Sequence, residues 1–253
     1  MSKTTRVTLF ESTGAKLTKH MLDADGMALL EKAVRETNGK LEICPPIEMF
    51  GKVVNQRRHV GFFADESKTY GYFYSRSVAR SITPTESIAA LVKLVNQQFG
   101  AKFNGVLVNY YPDGDHYISD HSDSEKGLDK ACGVVIISYG ATRTMQFKRT
   151  KSPPVGTAHF RGGFLPVPLV SGSVIAMQQP QFQSAYTHGI PVEKTAIGGR
   201  WSFTFRCHGN VDEGPMIAAA IKTQARIADK LAKRGARAGA MPPPTTTKRA
   251  KLE

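Results

Sequence analysis

Cysteine is scarce in this chain. Its 253 residues contain three, Cys44, Cys132 and Cys207, in no CxxC pair and at no zinc-finger spacing. That excludes a disulfide-scaffolded mini-fold and a cysteine-built zinc module, and it predicts reduced thiols in an intracellular protein. Long apolar runs are also missing. No stretch approaches the roughly 20 residues that a membrane-spanning helix needs, and Met1-Ser2-Lys3-Thr4-Thr5-Arg6 lacks the apolar core of a signal peptide. A soluble protein without a membrane partner is expected. Acidic residues are outnumbered, 21 against 34 Lys and Arg, for a net charge of +13. An excess of that size favours a polyanionic partner, nucleic acid ahead of an anionic membrane surface. There is no internal repeat.

What remains is ordinary globular material, 41% hydrophobic and 22% charged, with enough length for one sizeable core plus appendages. Residues 23–39 read as a helix, with Asp23 or Asp25 as cap, Leu29, Leu30 and Val34 as the apolar stripe, and Asn38-Gly39 as the stop. Thr83-Pro84-Thr85-Glu86 has the form of a capping box with proline at the first helical position. Ile88, Leu91, Val92 and Val95 follow at helical spacing up to Gly100. From Phe103 the pattern changes to strands: Val106–Tyr111, Gly133–Tyr139, Thr144–Lys148, Phe164–Leu169, Ser173–Gln178 and Arg200–Cys207, punctuated by Gly and Pro. Short strands after a helical N-terminal portion predict an α+β fold with a sandwich or barrel core. Pro215 to Arg234 then reads as an amphipathic helix with Ile217, Ile221, Ala228 and Leu231 on one face and Lys222, Arg226, Lys230 and Lys233 on another. The end of the chain, with Pro242-Pro243-Pro244 and Lys248-Arg249-Ala250-Lys251, has a disordered composition. The segments divide as residues 1–102, 103–209 and 210–253.

One tripeptide suggests a chemistry. In His121-Ser122-Asp123, residues two apart on a strand project to one side, so His121 and Asp123 can aim at one point while Ser122 faces away. Two histidines and one carboxylate are the ligands of a non-haem Fe(II) oxygenase, which keeps positions open for other ligands. By itself the HxD pattern also fits a hydrogen-bonded surface pair or a three-ligand zinc site. Downstream, Arg200 and Arg206 are an even number apart and share a strand face. A guanidinium offers a carboxylate a bidentate fork, and two arginines facing a barrel interior are costly without an anion near them. Two exposed strand arginines are the alternative.

With these residues in order, the chain resembles the AlkB family of Fe(II)/2-oxoglutarate dioxygenases over roughly residues 45–207. Asn109-Tyr110-Tyr111 is similar to the family's N-x-Y strand, His121-Ser122-Asp123 to its HxD, His188 to its distal histidine, and Arg200-Trp201-Ser202-Phe203-Thr204-Phe205-Arg206 to its R-x5-R signature. Each motif is weak; four in order and at the family's spacing are specific. The resemblance implies a double-stranded β-helix, or jelly roll, with N-terminal helices and a nucleotide-recognition lid. It implies Fe(II) on His121, Asp123 and His188, and 2-oxoglutarate and O₂ as co-substrates. Arg200 is expected at the distal carboxylate of 2-oxoglutarate and Arg206 near the end that chelates iron, with Asn109, Tyr111 and Thr204 completing the co-substrate set. Trp201, the only tryptophan, is expected to pack outward.

The N-terminal half resembles the branch of the family that repairs alkylated duplex DNA. Met49-Phe50-Gly51-Lys52 is similar to its hydrophobic finger, an apolar wedge for the base stack; a buried core Phe50 is the other reading. Arg58 matches an arginine of the recognition lid. Tyr72-Phe73-Tyr74-Ser75 matches an aromatic motif that contacts the flipped base, with ordinary strand packing as the alternative. Glu125 matches an acidic position at the base edge, or is a solvated loop carboxylate. Ser124 and Arg76 depart from that branch, which has a second acid and usually a glycine there, so lesion and strand preference stay open.

The implied function is oxidative demethylation of N-alkylated bases, 1-methyladenine and 3-methylcytosine first, in DNA with RNA as a second polymer. Formaldehyde, succinate and CO₂ would be released by a monomeric enzyme. The rivals are a hydroxylase of protein or of RNA modifications on the same core, and a nucleic-acid binding protein with a vestigial core. Lys248-Arg249-Ala250-Lys251 resembles a nuclear-targeting patch, in a host that has a nucleus.

Overall fold

A computed structural model of the protein describes residues 5–123, 127–195, 198–209 and 212–239. The strands are β1 (Val7–Ser12), β2 (Ala15–Met21), β3 (Pro46–Met49), β4 (Lys52–Asn55), β5 (His59–Ala64), β6 (Gly71–Tyr74), β7 (Ser77–Ile82) and β8 (Gly105–Tyr111). They continue as β9 (Ile118–His121), β10 (Val134–Gly140), β11 (Arg143–Arg149), β12 (Phe164–Leu169), β13 (Ser173–Gln178), β14 (Tyr186–Ile190) and β15 (Arg200–Arg206). The helices are α1 (Ala24–Thr37), α2 (Glu86–Phe99), the single turn α3 (Phe182–Ala185) and α4 (Gly214–Gly239).

Strand alternation builds the layers. A nine-stranded sheet runs β1-β2-β13-β10-β15-β8-β5-β7-β6, and a four-stranded sheet runs β12-β11-β14-β9. Val135, Ile137, Phe203 and Phe205 point from the large sheet into one core, against Leu30 and Ala33 of α1 and Ile88, Leu91 and Val95 of α2. Their neighbours Val134 and Ile136 point the other way, into a second core closed by Met145, Phe147, Val167 and Leu169 of the small sheet. Two facing sheets with helices on the outer side of one make the α+β jelly-roll arrangement that the sequence implies. Residues 7–82 contribute seven strands, where the sequence reading emphasised helices. Strand β2 buries Ala15, Leu17, Thr18 and His20 and joins the large sheet beside β13.

Two local expectations shift. The cap of α2 is Thr85, whose Oγ1 accepts from Ile88 N at 3.3 Å. Thr83 instead donates its hydroxyl to Glu66, so the Thr83–Glu86 capping box does not form and Pro84 precedes the helix. Cys132 and Cys207 form a disulfide across 75 residues, a correction to the expected reduced thiols. Asp129 N donates to Cys207 O at 2.9 Å, which brings the turn containing Cys132 against the end of β15. Cys44 is a free thiol.

Helix α4 forms where expected, with its packed face rotated. Ala220, Thr223 and Ile227 are the buried residues, whereas Ile221 is 54% and Leu231 41% exposed. Ala220, Thr223 and Ile227 recur at three- and four-residue spacing and form the packed stripe, displaced around the helix from Ile221 and Leu231. None of the helices in the described part is long and apolar enough to cross a membrane. Residues 240–253, with the basic patch Lys248–Lys251, lie outside the described residues.

Candidate active site

The centre sits at the mouth between the two sheets. Strand β14 pairs with β9 so that His188 lies directly opposite His121, their rings 4.4 Å apart between centroids. Strand β9 ends at His121, so Asp123 is not aimed by strand alternation as the HxD spacing suggested. It is held beyond the strand: its N–H donates to Gln183 Oε1 at 2.8 Å, and its Oδ1 accepts from Arg206 Nη2 at 2.8 Å. Ligand atoms of His121, Asp123 and His188 all lie within 4.8 Å of one another. Burial pushes the Asp123 carboxyl up, but Arg206 and the two histidines outweigh it and hold the group at about 2. Burial, reinforced by His121, brings His188 down to about 3. At neutral pH the set therefore offers one carboxylate and a neutral imidazole. Asp123 Oδ2 is buried without a hydrogen-bond partner among the described residues, as expected of an atom that would hold a cation. This donor set fits Fe(II) with open coordination positions.

Strand β15 supplies the floor. Arg200, Ser202, Thr204 and Arg206 line a cavity of about 840 Å³, while Trp201, Phe203 and Phe205 face the helix-side core. Trp201 thus points away from the site, but it is 8% exposed and stacks on Tyr110 rather than reaching solvent. Register places Arg200 opposite Tyr111 and Ser202 opposite Asn109 on β8, and both β8 side chains line the same cavity.

Two buried arginines make an internal control. Arg143 is saturated: Nε meets Glu193 at 3.0 Å, and its other nitrogens donate to the carbonyls of Asp113, His116 and Pro191. Arg200, equally buried, donates Nη2 to Ser138 at 2.8 Å and has Tyr111 beside it, but its Nε and Nη1 make no hydrogen bond of good geometry among the described residues. Burial brings Arg200 down to about 10, so it stays charged at neutral pH. A buried cation with two idle donors on a cavity wall calls for an anion, and a carboxylate has the matching geometry.

Strand β6 and the β3–β4 hairpin add further lining. Tyr72 and Tyr74 share a face of β6, their rings stacked at 5.8 Å, and both line the cavity. Arg206 lies 4.9 Å from the Tyr72 ring centroid, and Gln56 donates to the Tyr74 hydroxyl at 2.6 Å. Arg58 Nε donates to Asn109 Oδ1 at 2.9 Å, linking the segment before β5 to β8. Phe50 is no core residue: it is 99% exposed at the tip of the β3–β4 hairpin, with φ 48° followed by Gly51 at 75°. A bulky residue in that region is uncommon. Ser75 and Arg76 also have positive φ, 45° and 60°, a backbone that glycine adopts more readily. Glu125 and Ser124 lie outside the described residues. Sequence reasoning missed Gln183, Ser138 and Gln56, which hold the site residues in place and belong to no motif. It also missed Leu231 and Arg234 of α4, which line the cavity.

Fold and donor set together define an Fe(II)/2-oxoglutarate oxygenase centre. The chain belongs to the 2OG-Fe(II) oxygenase superfamily, whose profile matches residues 14–206, and within it to the AlkB family. It is 31% identical over 184 residues to a human protein named DNA oxidative demethylase ALKBH2, covering 70% of this chain and 65% of that protein. The bovine protein of the same name is 30% identical over 70% of this chain and 61% of its own length. A rat protein named alpha-ketoglutarate-dependent dioxygenase alkB homolog 3 is 28% identical over 44% of this chain and 38% of its own. This chain thus spans less than two thirds of the first two relatives. A solved structure of OsALKBH1 superposes with a TM-score of 0.49 at 18% identity, over 77% of this chain and 98% of that one. Fe(II), 2-oxoglutarate and O₂ are the cofactor and co-substrates of this family's centre.

Proposed function

We propose that the protein oxidatively demethylates N-alkylated bases in nucleic acid, with 1-methyladenine and 3-methylcytosine in DNA as the first substrates. One observation carries the reading. A single cavity is lined by His121 and His188 of the metal set, by Arg200 and by the stacked Tyr72 and Tyr74, with Arg206 joining Asp123 to the Tyr72 ring. The exposed Phe50 stands on a hairpin beside it. A net charge of +13 and relatives named as DNA oxidative demethylases support nucleic acid over a protein side chain.

In this reading His121, Asp123 and His188 hold Fe(II), which together with 2-oxoglutarate and O₂ supplies oxidation of the N-methyl group, releasing formaldehyde, succinate and CO₂. Arg200 binds the distal carboxylate of 2-oxoglutarate. Arg206 keeps Asp123 ionised and oriented. Asn109, Tyr111 and Thr204 line the co-substrate end. Tyr72 and Tyr74 receive the base, where aromatic stacking contributes about 1–3 kcal/mol, and Arg58 braces that wall through Asn109. A base has to leave its stack to reach this depth, and Phe50 fills the gap it leaves. Glu125 is proposed at the base edge.

The test is formaldehyde and succinate release on methylated DNA duplexes, single strands, RNA and peptides, with and without Fe(II). Methyl-dependent turnover on nucleic acid is expected. Turnover stimulated by peptide alone, or nucleic-acid binding without any 2-oxoglutarate consumption, overturns the proposal.

A further inference from the structure

Helix α4 lies beyond the stretch matched by the family profile, residues 14–206, yet it is fixed to both substrate-side elements. At its start, Glu213 accepts from Thr69 Oγ1 at 2.6 Å and Tyr70 N at 2.7 Å, immediately before β6 with its two tyrosines. Its middle buries Ala220, Thr223 and Ile227. Its far end grips the β3–β4 hairpin at three levels. Glu48 of β3 receives Arg226 at 3.0 Å and also Lys230. Gly51 O, at the tip beside Phe50, accepts from Lys230 Nζ at 2.9 Å. Val53 O of β4 accepts from Arg234 Nη1 at 3.2 Å. Beyond the packed face, Leu231 and Arg234 reach the cavity wall.

Such an arrangement does more than cover the sheet. A two-stranded hairpin is marginal in isolation, and an exposed apolar tip needs a fixed base if it is to be pushed against a base stack. The cations paired with Glu48 are partly exposed, at 46% and 37%, and each pair contributes little stability, so their value is geometric. Arg234 is held at the rim by one of its five N–H donors, leaving a guanidinium where a strand must pass for one of its bases to enter. Lys222, Arg226, Lys230 and Lys233 precede Arg234 on the helix, against Asp229.

We propose that α4 is a substrate-engaging brace: it fixes the pose of the β3–β4 hairpin through Glu48 and binds a backbone phosphate next to the inserted nucleotide through Arg234. Glu48 is a positioning residue and Arg234 a binding residue. The inference rests on the nucleic-acid reading above, but its binding and proteolysis arms require no turnover.

Labelled methylated oligonucleotide is titrated onto the full chain, without metal, over a range of salt concentrations. Arg234→Ala is expected to weaken binding about 3- to 10-fold and to lower the slope of log K against log salt by about one, the loss of one phosphate contact. Arg234→Lys should restore the slope. Glu48→Gln should speed chymotryptic cleavage after Phe50 and raise KM for duplex oligonucleotide more than it lowers kcat. If folded Arg234→Ala keeps the wild-type affinity and slope, or Glu48→Gln leaves both cleavage and KM unchanged, the brace is overturned even where the wild type demethylates DNA. Arg234-dependent binding by a protein that never demethylates sinks the proposed function and leaves the brace standing.

Discussion

Arg206 donates from Nη2 to Asp123 Oδ1 at 2.8 Å with both groups buried. An arginine of the R-x5-R signature thereby orients and neutralises the carboxylate of the metal set. Asp123→Ala removes that counter-charge as well as a metal ligand. Loss of one partner of a buried pair costs about 3–5 kcal/mol. Urea unfolding of the metal-free variant should show a loss of that order, and Fe(II)-dependent turnover should vanish. Asp123→Asn keeps the shape and should lose turnover with a smaller stability loss. Wild-type succinate release in either variant removes Asp123 from the metal set.

Arg200 and Arg143 should respond in opposite ways. Arg200→Met removes a buried cation with two unsatisfied donors. Metal-free protein should therefore be as stable as wild type or more so, while KM for 2-oxoglutarate rises at least 100-fold. Arg143→Met strands Glu193 and three carbonyls and should destabilise by about 3 kcal/mol. Thermal melts beside co-substrate titrations test both. Destabilisation by Arg200→Met with unchanged KM would count against an anion site.

Phe50 is 99% exposed with a positive φ, so it contributes almost nothing to packing. Phe50→Asn suits the turn better and should keep or raise stability by up to about 1 kcal/mol. Duplex turnover should fall several-fold more than single-strand turnover. Equal losses on both substrates would rule out a wedge.

Acid stability should depend on His208. Burial, aided by Arg206, brings it down to about 4, and its ring packs on Phe62 and Tyr72. In the unfolded chain it takes up a proton near its ordinary value of about 6.5, so between pH 6.5 and 4 the unfolded state binds more protons. Its contribution is intact above pH 6.5 and declines as pH falls towards 4; His188, held at about 3, adds to the same slope. In metal-free protein, His208→Gln should flatten the fall in denaturation midpoint between pH 7 and 5. An unchanged pH profile would show that His208 titrates normally.

Much of the site was legible because it rests on local stereochemistry. A strand alternates, so Arg200, Ser202, Thr204 and Arg206 had to share one face and Trp201, Phe203 and Phe205 the other. The same rule put Asn109 with Tyr111 and Tyr72 with Tyr74. Where a feature depended on competing local options, the reading slipped. Thr83 and Thr85 both precede α2, and only the chain's approach past Glu66 selects Thr85. The buried stripe of α4 runs through Ala220, Thr223 and Ile227 rather than Ile221 and Leu231, because tertiary packing chose between two apolar faces of one helix.

By itself, the sequence determined the helix and strand periods, the basic charge and the shared faces of His121 with Asp123 and of Arg200 with Arg206 as expectations, while His188 entered only through the family resemblance. The periods and faces follow from residues within a turn or a strand of each other. Tertiary structure alone decided that His188 faces His121, that Arg206 meets Asp123, that Cys132 bonds Cys207, and that α4 grips the hairpin carrying Phe50. Each is a contact between segments far apart in the chain. Strand register and the packing of the whole molecule set such contacts, and no local pattern records them.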